Sequence, residues 1–127
     1  VDIAQPDICA TGGLTEAKRI ATLAQAYRKD VVPHTWGTWI AISAAVHFVG
    51  NLDMNPGRMY CELPTMELDR TENALRDVVT KSDIEVVNGF INVPDSPGLG
   101  VDVNIDALEK FSEKETNTDN ESIEIRS

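Results

Sequence analysis

Two stretches of this chain repeat one order of parts: a short apolar run, a polar loop rich in turn residues, then a longer segment with apolar side chains at helical spacing. In the first, Val1 to Ala4 reads as a strand and Gln5 to Gly13 as the loop. Thr15 to Lys29 then reads as a helix, with Ala17, Ile20, Ala21, Leu23, Ala24 and Tyr27 at its apolar positions. Thr15 stands at the expected N-cap, the Gly12-Gly13 pair lets the backbone turn into the helix, and Lys29 suits the negative end of its dipole. In the second stretch Val31-Val32-Pro33 is the strand, His34 to Thr38 the loop, and Trp39 to Leu52 a second, apolar helix. A third apolar run, Arg58 to Leu63, follows the turn Asn55-Pro56-Gly57 and reads as a buried strand ending at Glu62. Short strands alternating with helices in the order βαβαβ predict an α/β fold, a parallel sheet covered by its crossover helices.

Past Pro64 the pattern changes. Thr71 to Thr80 predicts a short polar helix, and Ile84 to Val93 two strands about the turn Asn88-Gly89. Pro94 to Gly100 is a loop, and Asn104 caps a short helix running through Phe111. Ser112 to Ser127 holds five acids against two bases, with only Ile123 and Ile125 apolar, and is expected to be a disordered tail.

The 127 residues make one domain's worth of chain, and 11 basic against 21 acidic side chains leave a net charge of −10. Such a field repels phosphate backbones and anionic lipid, so no nucleic-acid and no membrane partner is expected. The longest apolar stretch, Trp39 to Val49, is too short to span a bilayer and contains Ser43 and His47, so a soluble protein is expected, and a cytoplasmic one from its cysteines. Cys9 and Cys61 lack the density and spacing of a disulfide framework or a CxxC site and read as reduced thiols, small and near the core. The chain opens at Val1 without an initiator Met, and it is expected to start inside a longer protein.

Three ionisable residues follow successive strands: Asp7, His34 and Glu62. The carboxyl edge of a parallel sheet is where α/β sites form. Asp7 on a strand adjacent to His34 would orient the imidazole and make it an acid or base, and Glu62 would stand beside a metal or donate to a developing oxyanion. Against these stand plainer roles. Asp7 could satisfy loop amides, His34 could be a ring bonded to backbone, and Glu62 could pair with Arg58. His47, inside an apolar helix, reads as packing, and Gly12-Gly13 as a tight turn more than an anion cradle. Trp36 and Trp39 either line a pocket mouth or close the layer above the strand.

The motifs Gln5-Pro6-Asp7-Ile8, Gly12-Gly13-Leu14-Thr15-Glu16 and Val32-Pro33-His34, in that order, resemble the mandelate racemase and muconate lactonizing family. More narrowly they resemble the racemase-like and acid-sugar-dehydratase branch of the enolase superfamily, in which QPD ends the sixth barrel strand and PH the seventh. The stretch Pro97-Gly98-Leu99-Gly100-Val101 is similar to the family's closing segment, and the resemblance covers about residues 1 to 111. It implies that the chain holds the last three units of a (β/α)7β TIM-like barrel, residues 1–70, followed by a capping segment with a hairpin, 71–111, and the acidic tail, 112–127. It further implies a Mg²⁺-dependent enzyme acting on a small carboxylate such as an acid sugar. His34 would be the general acid/base, Asp7 its hydrogen-bonded partner and Glu62 the contact to the substrate carboxylate or enediolate. The family's metal ligands, opposing lysine and specificity loops have no counterpart in this segment. They are expected upstream of Val1, and the isolated chain is expected to be inactive and prone to self-association through open strand edges. The complete protein, expected to be a homo-oligomer, reads as an acid-sugar dehydratase, a hydro-lyase. The alternatives are a racemase or epimerase of a 2-hydroxy acid, and a non-catalytic remnant that binds a partner through its sheet edge.

Overall fold

The computed structural model describes residues 1–53, 63–82 and 84–112. Strand β1, Ile3–Ala4, and strand β2, Asp30–Val31, pair in parallel with Ile3 opposite Asp30 and Ala4 opposite Val31. The ladder continues through the Val32 amide, which donates to the Ala4 carbonyl at 3.0 Å, and reappears as a parallel bridge between Asp7 and His34. Helix α1, Gly13–Ala26, makes the crossover, and helix α2, Trp39–Gly50, follows β2. The βαβα order read from the sequence therefore stands. The third strand, Arg58 to Glu62, falls outside the described residues, as do Cys61 and 113–127.

The two helices differ in how they are covered. In α1 only Ala17 and Ala21 are fully buried, one stripe of small residues against the sheet, whereas α2 buries Ile42, Ser43, Ala44, Ala45, Val46, Phe48 and Val49. An element that is apolar nearly all round must be enclosed, and α2 is. Ile8, Val31, Ala45 and Phe48 belong to the central cluster, against which Leu52, Met66 and Leu99 also pack.

Local chemistry moves several boundaries from those expected. Helix α1 starts two residues before Thr15, because Gly12 takes the cap position at φ 104° and Gly13 follows at φ 85°. These are left-handed conformations that glycine adopts without a Cβ penalty, so backbone freedom replaces the hydroxyl cap. At its other end the helix stops at Ala26, leaving Lys29 beyond it, where the Lys29 ammonium pairs with Asp2 at 3.3 Å. The polar helix expected over 71–80 contracts to a five-residue π-helical turn, Leu75–Val79. Asn73 Oδ1 accepts from the amides of Leu75 and Arg76 and opens that turn, and the chain leaves it at once into β3, Thr80–Ser82.

Strand β3 pairs antiparallel with β6, Val101–Val103, in a ladder that the sequence reading did not contain. Three-residue strands carry too little periodicity to register, and their partners lie far apart along the chain. The hairpin of β4, Val86–Val87, and β5, Phe90–Ile91, is as expected. Asn88 and Gly89, at φ 53° and 82°, supply the two positive φ angles of its tight turn. Helix α3, Ile105–Phe111, is capped by Asn104, whose Oδ1 accepts from Ala107 N at 3.1 Å. Among the described residues no helix is long and apolar enough to cross a membrane.

Candidate active site

The ends of β1 and β2 bring two of the predicted residues side by side. Asp7 and His34 are direct partners in a parallel bridge, which sets their backbones at the spacing of neighbouring strands, about 4.8 Å. Their side chains then take different partners. Asp7 Oδ1 accepts from the Cys9 amide at 2.8 Å, and the Asp7 carbonyl accepts from Ala10 N, Thr11 N and the Thr11 hydroxyl. Asp7 is thus the organiser of the turn that leads into α1, the role weighed for it in the sequence, placed one strand from the imidazole. Cys9, expected near the core, is exposed in the turn that Asp7 organises; partial burial first, then the Asp7 charge, push its thiol up.

His34 finds its partner elsewhere. Its Nδ1 lies 2.6 Å from Glu67 Oε2, and the same carboxylate oxygen accepts from Thr35 N at 3.4 Å. Both side chains are about half exposed, 49% for His34 and 45% for Glu67, so the pair is reachable from solvent. With Glu67 ionised, Nδ1–H donates to the carboxylate and the lone pair of Nε2 is left to accept a proton. A proton acceptor whose tautomer is fixed by a carboxylate is a general base in kind. Thr35 is buried, and Trp36, the next residue, is 64% exposed.

Glu67 escaped the sequence reading, and Glu62, named there instead, lies outside the described residues. A signal existed. Along 63–68 exposure alternates, with Pro64, Met66 and Leu68 half-buried between exposed Leu63, Thr65 and Glu67. That period of two is written in the apolar residues at 64, 66 and 68, and it puts Glu67 on the outer side of an extended segment.

Mg²⁺, which the resemblance implies, needs several converging oxygen or nitrogen donors. Among the described residues no group of three or more His, Cys, Asp or Glu side chains could hold a metal ion. His34 and Glu67 are engaged with each other, so they do not fit that role.

The family described as enolase C-terminal domain-like matches residues 1–107. Among curated proteins, D-galactarolactone cycloisomerase of Agrobacterium fabrum is 46% identical over 87% of this chain and 29% of its own length. Arabinonate dehydratase of Saccharolobus solfataricus is 32% identical over 87% of the chain and 27% of its length. Among solved structures, the 3,6-anhydro-D-galactonate cycloisomerase from Zobellia galactanivorans superposes with a TM-score of 0.78 at 68% identity, covering 90% of this chain and 30% of that one. The chain thus spans about three tenths of the length of the relatives it matches.

Proposed function

The chain belongs to the enolase C-terminal domain-like family, and on that footing we propose that it carries the general base of an enzyme acting on acid sugars. The base removes the proton α to the carboxylate, and the β-oxygen is then expelled. The observation that carries this reading is the His34 Nδ1 to Glu67 Oε2 contact at 2.6 Å, beside the strand-end bridge to Asp7. His34 takes the α-proton on Nε2 while Glu67 holds the imidazolium that forms, and the charge of Asp7 one strand away favours the same cation. Glu67 takes the place that the sequence reading gave to Asp7 as the side-chain partner of His34.

The fate of the β-oxygen separates two products. When it is a free hydroxyl, proton removal at the α-carbon and cleavage of the β C–O bond release water and leave an enol, which tautomerises to a 2-keto-3-deoxy acid. When that oxygen closes an anhydro ring, the same cleavage opens the ring and nothing is lost, so the reaction is an isomerisation. Ring opening is the favoured reading, because the cycloisomerases are 68% and 46% identical to this chain. Dehydration is the second reading, supported by the 32% identical dehydratase. A divalent cation such as Mg²⁺, held by residues outside the described ones, would supply charge stabilisation as the α-proton leaves. Activity is therefore expected of the full-length gene product and not of these 127 residues alone.

The test is a panel of acid sugars, with 3,6-anhydro-D-galactonate and D-galactonate included, incubated with the full-length gene product and Mg²⁺ in D2O. Ring-opened product and solvent deuterium at the α-carbon support the first reading; water loss from the open sugar supports the second. Exchange without C–O cleavage would point to a racemase or epimerase, and undiminished exchange in His34→Asn would remove His34 from the chemistry.

A further inference from the structure

Glu67 sits in a segment, 63–70, that forms no strand pairing among the described residues, so no backbone ladder fixes where its carboxylate stands. Something else must. Close by in the chain is Arg76, whose side chain is 7% exposed in a chain of net charge −10. A guanidinium withdrawn from water is costly unless its donors are used; Nε lies 3.7 Å from Asp77 Oδ1, and both Nη groups turn to the 69–71 segment. Nη1 donates to Asp69 Oδ2 at 2.8 Å and to the Asp69 carbonyl at 3.3 Å, and Nη2 donates to the Thr71 carbonyl. Asp69 Oδ1 in turn accepts from the Thr71 amide and hydroxyl at 2.9 and 2.7 Å, and these contacts, with Arg76, hold its carboxyl below the usual carboxylate range. Asp69 is two residues from Glu67.

The same turn grips the other half of the pair. Asn73 Nδ2 donates to the Gly37 carbonyl at 3.4 Å, within the loop that begins at His34, while Asn73 Oδ1 accepts from Arg76 N. Resting on the proposed His34–Glu67 chemistry, we infer that Asn73 and Arg76 are positioning residues. One turn holds the His34 loop through Asn73 and the Glu67 segment through Arg76, and so sets the distance between base and carboxylate. Neither touches the reacting atoms.

The experiment uses the full-length gene product with ¹⁵N-labelled histidine at about pH 8.5, where imidazoles are neutral. His34 signals are identified by their loss in His34→Asn, and its tautomer is read from the ring nitrogen shifts. The wild type should show the Nδ1–H form that a donor to Glu67 requires, against the Nε2–H form that an unconstrained ring favours. Arg76→Met should move the ring toward Nε2–H and lower kcat for α-proton exchange by about 100-fold, as ångström-scale misplacement does, with KM little changed. Arg76→Lys, which keeps the charge but not the fork, should recover part of both. Asn73→Ala should move both in the same direction by less, and it decides the matter should Arg76→Met not fold. A folded Arg76→Met or Asn73→Ala protein with the wild-type tautomer overturns the inference. A tautomer shift in a protein that turns over no acid sugar upholds the positioning role and rejects the proposed reaction.

Discussion

The two regions that meet at His34 and Glu67 are held by different forces. Residues 1–53 hold a parallel ladder and two helices, and the second of those helices has seven buried residues, so that half rests on apolar burial. Residues 63–82 run without a ladder until Thr80, and their position rests on the polar contacts of Asp69, Asn73 and Arg76, with Met66 reaching the core. Burial is insensitive to direction, whereas hydrogen bonds fix it. The burial-built half therefore presents the imidazole from a stable platform, and the polar half sets the angle and distance of its partner.

The largest effect that separates the two halves is a cavity. Ile42 is 0% exposed, and Ile42→Ala should destabilise the fold by about 3 kcal/mol, read from urea denaturation. Met66→Ala, at a position only half-buried, should cost about half of that; equal costs would show the two halves to be built alike. Asn104→Ala removes the side-chain cap of α3 and should cost about 1 kcal/mol, leaving His34 and Glu67 untouched.

The smallest effect is in acid. The carboxyl of Asp69 is held below its ordinary value in the fold by hydrogen bonds from Thr71 and by Arg76. A carboxyl so lowered contributes stability that is present above its ordinary, unfolded range near about pH 4 and is lost as pH falls through the lower native value. Urea midpoints taken from about pH 5 downward should fall for the wild type and fall less for Asp69→Asn. Parallel curves would mean that the polar half does not depend on that carboxylate.

Much of the burial-built half was legible in the sequence, because period 3.6 and strand-end placement are local patterns. Asp7 and His34 were placed beside each other from the order of the βα units, and the bridge between them is observed. The boundary errors have local causes too. Thr15 looked like a cap, but Gly12 at positive φ starts the helix without one. The polar half was less legible, since its order comes from contacts between residues with no periodicity. Arg76 reads as a solvated charge on a polar helix until its carbonyl and carboxylate partners are seen. Glu67 was hidden for a similar reason: its meaning depends on His34, 33 residues earlier, rather than on its neighbours.

The most direct test of the account is Glu67→Gln in the full-length gene product, assayed for solvent deuterium at the α-carbon of the acid sugar that the wild type processes. The amide keeps the shape of Glu67 and removes the charge that holds the imidazolium. Exchange should fall by about 100-fold to 1000-fold while the protein stays folded. Wild-type exchange in Glu67→Gln would contradict it, and would leave the contact between Glu67 and His34 a structural one.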